Sequence, residues 1–494
     1  MAKFTTIRIL LALSCENDWE IEEMDVKTAF LNGTLDETIY MEIPEGVAVP
    51  TNKAARTYQA PMACRLIKAI YGLKQSPRAW YGRIHTFFQA QNFTRSDHDH
   101  SLHINYQKHV IILLYVDDLV VAAPTKELVN WIHQQLHDEF EMTDLGPLKH
   151  FLGLKIARNR RRRTLHLCQS QYIQKILRLH GLQVCNPSQT PADPHVRLSK
   201  SRAESEATAE EKRIYQSAVG SLMYAMLGSR PEIAYAVSKV SQYCTNPDST
   251  HWTAVKRIFR YLAGTPNRGL WYGVHGSGDG YTDADWGASD DRKSIGGYTF
   301  LLNGAAICWN SKKQSTVALS STEAEYMALT QAVKESLWLQ AILQDLGATN
   351  HQAEMKNIYI DDQGSIALVK NPQFHACTKH IDIQYHFVRE HVEKESIRLT
   401  YCATGEMTAD IFTKPLPQPS FTKHTLSLGL IDYSVFALQE TTSPTAYKYP
   451  NSQEEITYSQ NTHERSPSEG WYCWSPVLSL SQLVPPSLLE YTIK

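Results

Sequence analysis

Val110-Ile111-Ile112-Leu113-Leu114-Tyr115-Val116-Asp117-Asp118-Leu119-Val120-Val121-Ala122-Ala123 sets two adjacent carboxylates in the middle of an apolar run. Both flanks are short, apolar and rich in β-branched residues, so they read as buried strands with the acids at or near a hairpin turn that faces a cleft. Neighbouring anions among Ile, Leu and Val are costly unless a cation sits on them. The usual remedy is a divalent ion, and such a site suits phosphoryl transfer with two metal ions. A lone Asp-Asp also reads as a plain acidic turn between strands. The rest of the chain has to decide.

At 494 residues the chain is too long for one core, and about three domains are expected. Hydrophobic residues at 43% and charged residues at 20% fit an ordinary soluble globular protein. A net charge of -2 and a pI near 6.9 give no global attraction to nucleic acid, so such binding would need local basic patches. Nine cysteines without a CxxC or a Cys/His cluster point to a reducing compartment and away from zinc. Lys3 and Arg8 before Ile9-Leu10-Leu11-Ala12-Leu13 imitate a signal peptide, but the apolar stretch is too short and acids follow it. Ile7 to Leu13 is expected to be a core helix. No run reaches the roughly 18 apolar residues of a membrane span.

Strands are expected over Trp19–Val26, Val110–Ala123 and His150–Ile156, with helices over Arg78–Ala90 and Lys126–Phe140. Ser199–Lys212 reads as a polar linker, and Tyr215–Arg260 as helical. A second core, from Gly280 to about Pro415, is expected to hold strands near Leu270–Tyr272, Gly297–Leu302 and Asn357–Ile360. Its longest helix starts after Ser320 with capping-box chemistry and runs toward Gly347. After Gln439, residues rich in Ser, Thr, Pro and Tyr lack periodicity and are expected to be disordered.

Met24-Asp25-Val26-Lys27-Thr28-Ala29-Phe30-Leu31-Asn32-Gly33 places a third Asp at a strand end, and Ala69-Ile70-Tyr71-Gly72-Leu73-Lys74-Gln75-Ser76-Pro77-Arg78-Ala79-Trp80-Tyr81 lies between it and the Asp pair. With Phe140-Glu141-Met142-Thr143-Asp144-Leu145-Gly146-Pro147-Leu148 and Phe151-Leu152-Gly153, in this order, the blocks closely resemble the reverse transcriptase of copia-type LTR retrotransposons. The likeness covers most of residues 1–435. It implies that Asp25 and Asp117 hold two Mg²⁺ ions, replaceable by Mn²⁺, with Asp118 beside them, for attack by a primer 3′-hydroxyl on a dNTP. Phe30 matches the family's gate against a ribose 2′-hydroxyl, Tyr71 and Gly72 its nucleotide pocket, and Lys74 a phosphate contact. The same residues also read as a core aromatic, a turn glycine and a solvated cation. Arg158-Asn159-Arg160-Arg161-Arg162-Arg163, the densest positive run, reads equally as a nucleic-acid contact and as a solvated hairpin tip.

Further on, Tyr281-Thr282-Asp283-Ala284-Asp285-Trp286, Glu325 on the long helix, Asp361 after Asn357–Ile360, and Ala409-Asp410-Ile411-Phe412-Thr413-Lys414 supply an ordered set of acids. The set resembles the copia-type RNase H domain, which implies that Asp283, Glu325, Asp361 and Asp410 hold two further Mg²⁺ ions and cleave RNA in RNA/DNA hybrids. Asp285, Asp362 and Glu323 are the neighbours set aside, Glu323 as a helix cap.

The resemblance thus implies an α+β or α/β protein: a palm-type polymerase region at 1–190, a helical linker and thumb or connection region at 191–275, an RNase H-like mixed sheet with flanking helices at 276–435, and a disordered tail at 436–494. The fingers that orient the triphosphate in the family are expected to be largely missing, since Asp25 lies so near the start. Expected partners are RNA template, DNA primer, RNA/DNA hybrid and dNTPs, with no membrane, in a cytoplasmic retrotransposon particle or the nucleus. An RNase H-only protein, or an inactive remnant that at most binds nucleic acid, is the alternative.

Overall fold

The apolar run turns back on itself. Val110–Tyr115 and Asp118–Ala123 pair antiparallel, Tyr115 opposite Asp118, with Val116 and Asp117 as the connection. Branched residues fill both faces, and only Tyr115 to Asp118 escape full burial. A six-stranded sheet grows from this hairpin, in the order Thr94–Arg95, Leu102–Asn105, Val110–Tyr115, Asp118–Ala123, Glu20–Val26, Met142–Pro147. The structure is a computed structural model and describes residues 2–46, 62–200, 206–273, 278–287, 289–348, 355–370, 382–441 and 489–493.

Two compact units divide the chain: Met1–Asp25, Phe93–Leu136 and Thr143–Thr441 form one, and Val26–Asn92, His137–Met142 and Thr442–Lys494 the other. In the first, helix Phe4–Glu16 is buried from Thr6 to Cys15 on every side, so the signal-like run is a core helix. Even Arg8 is inside. Its guanidinium donates to the carbonyls of Ile307 at 2.7 Å, Leu227 at 2.8 Å and Gly228 at 2.9 Å and lies 4.0 Å from the Trp309 ring centroid. Two of these carbonyls end helix Ala209–Gly228, where the helix dipole is negative. Burial still pushes Arg8 down to about 10.

Two more sheets complete this unit. One is antiparallel, in the order Leu430–Asp432, Arg268–Tyr272, Thr164–Cys168, Leu154–Asn159, His150–Phe151. The other runs Ala305–Lys313, Ile295–Leu302, Asp279–Asp285, Asn357–Ile360, Arg398–Tyr401; its first three strands are antiparallel, Asn357–Ile360 pairs in parallel with Asp279–Asp285, and Arg398–Tyr401 in parallel with Asn357–Ile360. Helix Ser321–Asp345 packs on it, and one apolar cluster runs through the unit. The second unit contains helix Ser76–Ala90, the short helix Ala29–Asn32, and strands Tyr40–Met41, Met62–Leu66 and Leu489–Ile493. There, a Cβ on Gly33 would stand 2.9 Å from the Trp80 amide nitrogen, so only glycine lets that helix approach.

Three details depart from the sequence expectations. Arg268–Tyr272 pairs with Thr164–Cys168 rather than with the Asp283 strand, a partnership about a hundred residues away that local pattern cannot encode. The polar stretch up to Lys212 is already helical from Ala209, because Thr208 and Glu211 close a capping box. The expected tail falls at 442–488 outside the described residues; Tyr433–Thr441 is a helix, and Leu489–Ile493 pairs with Met62–Leu66.

Candidate active sites

Asp25 lies directly opposite Asp118 in the ladder between Glu20–Val26 and Asp118–Ala123. Directly opposed residues share a sheet face, so the two half-buried carboxylates point the same way. Asp117 follows Val116, whose φ of 61° is left-handed. That is where a tight hairpin normally places glycine, and a branched residue there stores strain of order 1–3 kcal/mol. Burial, then Asp117 and Asp25, pushes Asp118 up to about 6. Glu23, two residues before Asp25 on the same face, is pushed to about 7 by burial, Asp118 and Asp25. The sequence blocks did not single out Glu23; alternation along the strand would have found it. Beside this face, Tyr115 packs edge-on against Phe151 at 6.3 Å. Phe151 leads into the hairpin turn at Leu152 and Gly153, both with positive φ.

Phe30, Tyr71, Gly72 and Lys74 belong to the second unit. Phe30 is half-buried and meets Tyr71 with ring centroids 4.6 Å apart. Gly72 has φ +97° and open space where a Cβ would be, so backbone conformation dictates the glycine. Lys74 and Arg78 are exposed.

Two arginines of the run, the partly buried Arg158 and the exposed Arg160, are tied to the fold. Arg158 donates to the carbonyls of Trp19 and Ser14 and to Asp18, while Arg160 binds Asp18 and Glu20. These arginines clamp the end of the core helix to the hairpin, and Arg161 is left exposed at its tip.

A denser acid cluster stands at the end of the mixed sheet. Asp283 lies on Asp279–Asp285, and the parallel register of Asp279 with Asn357 and Tyr281 with Tyr359, carried on, sets Asp283 level with Asp361. Asp410 comes from the short helix Thr408–Phe412. One carboxylate oxygen from each of Asp283, Asp361 and Asp410 lies within 4.8 Å of the others. Glu325, on the long helix and almost wholly buried, accepts the Ala284 N–H at 3.1 Å, while its Oε2 has no hydrogen-bond partner. Burial raises Asp283 against the pull of Lys414 and Thr413, and burial with Asp283 raises Glu325 well above the carboxylate range. Asp410 is pushed up to about 7 by burial and Asp283.

The neighbouring acids have other work. Asp362 accepts from Ser365 N at 2.8 Å and Ser365 Oγ at 2.7 Å and so caps helix Gln363–Lys370. Glu323 accepts the Leu319 N–H at 2.8 Å while Ser320 caps the Glu323 N–H at 3.1 Å. Asp285 lines a cavity of about 350 Å³ with Tyr235, Lys239, Arg197 and Arg257.

The block around Asp410 carries more than its acid. Thr413, fully buried, donates its hydroxyl to Asp283. Lys414 Nζ stands 2.9 Å from Asp410 Oδ1 and 3.6 Å from Asp283 Oδ2. Gly297 lies opposite Asp283, and a Cβ there would come within 2.7 Å of Phe412 Cβ and 2.9 Å of Thr413 Cγ2. A bare backbone at Gly297 is what lets the Asp410 turn dock on the Asp283 strand.

A family model for reverse transcriptase (RNA-dependent DNA polymerase) matches residues 1–194. The retrovirus-related Pol polyprotein from transposon TNT 1-94 of Nicotiana tabacum is 44% identical over 433 residues, 85% of this chain and 32% of that protein. The retrovirus-related Pol polyprotein from transposon RE2 of Arabidopsis thaliana is 37% identical over 434 residues, 87% of this chain and 29% of its own length. The putative transposon Ty5-1 protein YCL074W of Saccharomyces cerevisiae is 34% identical over 321 residues, 63% of this chain and 100% of that protein. The chain therefore spans about a third of the length of the two plant polyproteins. No helix among the described residues is long and apolar enough to cross a membrane.

Proposed function

Since this chain belongs to the reverse transcriptase family of copia-type retrotransposon Pol polyproteins, we propose that it is an RNA-directed DNA polymerase with a second, ribonuclease H-type site. The observation that carries the second site is the convergence of Asp283, Asp361 and Asp410 within 4.8 Å, beside Glu325. A set of hard carboxylate oxygens fits Mg²⁺ or Mn²⁺, whose binding would displace the protons that burial favours there. Bound there in pairs, such ions would supply an activated water and charge neutralisation at the scissile phosphate. The chain's own residues do the rest: Thr413 fixes the Asp283 carboxylate, Ala284 N–H fixes Glu325, and Gly297 lets Asp410 reach them.

For polymerisation, Asp25 and Asp118 face one another across one ladder rung, with Asp117 at the turn, so the three would hold the ions for nucleotidyl transfer. Phe30, Tyr71, Gly72 and Lys74 would receive the dNTP. In this reading residues 1–190 are the polymerase palm region, 191–275 the connection and 276–435 the nuclease, acting on RNA template, DNA primer and hybrid. Lys239 and Arg197 beside Asp285 would meet backbone phosphates.

The test uses the full chain with a DNA primer on labelled RNA. Mg²⁺-dependent extension that Asp118→Asn removes, and RNA cleavage that Asp361→Asn removes, are the expected results. Neither activity in the wild type would sink the proposal. Cleavage without extension would identify a hybrid nuclease alone. That second reading is favoured by the convergence of Asp283, Asp361 and Asp410 within 4.8 Å.

A further inference from the structure

Lys414 follows Asp410 by four residues, and its backbone N–H donates to the Asp410 carbonyl at 3.2 Å, so the two side chains share one face of a helical turn. The ammonium reaches 2.9 Å from Asp410 Oδ1 and 3.6 Å from Asp283 Oδ2, on two of the three carboxylates that converge within 4.8 Å. The acids are deeply buried, with side chains 2% and 9% exposed, whereas Lys414 is 35% exposed and has a way out to solvent. An ammonium has donors only and cannot share a carboxylate lone pair with a metal ion. At these distances its charge also repels a divalent ion on the same oxygens. Removing it with nothing in its place would leave buried anions uncompensated.

We propose that Lys414 is the resident counter-ion of the Asp283–Asp361–Asp410 cluster, holding the acids together without a divalent ion and displaced when one binds. Lys414 therefore sets the affinity of the site for metal and is a positioning residue rather than a ligand. The inference rests on the proposed function in one respect, that this cluster takes a divalent ion.

The experiment titrates the full chain with Mn²⁺ by calorimetry and follows melting in EDTA and in Mn²⁺. Lys414→Met is expected to tighten the Asp361-dependent Mn²⁺ binding by roughly tenfold, within the usual range for coupled binding events. It should also lower the melting temperature in EDTA and enlarge the rise on adding Mn²⁺. Lys414→Gln gives a second, polar replacement read in the same way, and Lys414→Arg, which keeps the charge, should stay near wild type. Binding that is unchanged or weaker in both Lys414→Met and Lys414→Gln overturns the proposal, as does Lys414→Arg behaving like Lys414→Met. If Mn²⁺ binding in wild type and variants is indifferent to Asp361→Asn, the metal-site reading falls and takes the proposal with it. Asp361-dependent binding that Lys414 does not affect leaves that reading standing and overturns the counter-ion alone.

Discussion

Asp25 and Asp118 meet across a single rung of one ladder, whereas Asp283, Glu325, Asp361 and Asp410 are drawn from a strand, a long helix, the residue after a second strand and a short helix. The first arrangement is almost complete once two strands pair. The second exists only after a parallel strand crossing, a helix packed on the sheet and a turn docked on Gly297 have all formed. Burial and neighbouring carboxylates raise Asp118 and Glu23 in the first and Asp283, Glu325 and Asp410 in the second, where Thr413 and Lys414 also stand against Asp283. A site made locally needs one correct register; a site assembled from distant pieces needs every packing contact among them.

The largest effects would show whether the two regions work separately. Asp118→Asn is expected to cut primer extension about a hundred- to a thousandfold, the scale of losing a preorganised charge-stabilising group, and to leave RNA cleavage nearly unchanged. Asp361→Asn should do the reverse. One substitution silencing both activities would break the comparison.

Next comes the docked turn. Gly297→Val should push Phe412 and Thr413 away from the Asp283 strand, at a cost of about 1–3 kcal/mol in urea unfolding, with cleavage lost and extension retained. Unchanged cleavage would mean that the close approach does not position Asp410.

A smaller effect follows from pH. Asp410 binds its proton more tightly in the folded chain, at about 7, than an ordinary carboxylate does. Between about pH 4 and 7 the folded state therefore holds more protons at this group, and its contribution to stability is lost as pH rises through that window. In EDTA, Asp410→Asn should gain on wild type as pH rises from 5 to 8, on the order of 1 kcal/mol after screening. A difference that shrinks with rising pH would contradict the burial argument.

The smallest effect concerns strain at the first site. Val116→Gly should change stability by less than about 0.5 kcal/mol, because relief of the left-handed strain offsets glycine's entropy. Val120→Gly, in the buried strand beside it, should cost more than about 2 kcal/mol. Equal costs would mean that Val116 is not strained.

Elements whose signal is local were legible in the sequence. The hairpin around Asp117, the core helix at Ile7–Leu13, the strand Asn357–Ile360 and the capped helix after Ser320 all lie where pattern places them. Which arginines of the Arg158–Arg163 run pair with acids was not legible, because Asp18 and Glu20 lie about 140 residues away in the chain. Nor was the sheet that takes Arg268–Tyr272, since β pairing partners are set by register over long range.

The sequence by itself determined the family, through the likeness of its long blocks, together with the order of the acid-bearing blocks and the placing of two adjacent carboxylates at a hairpin turn, because each is carried by neighbouring residues along the chain. Only the tertiary structure decided that Asp118 rather than Asp117 opposes Asp25, that Gly297 admits the Asp410 turn, and that Lys414 stands on the second cluster. The physical reason is that electrostatics and close packing act through space over a few ångströms, and the partners they join lie tens to hundreds of residues apart in the chain.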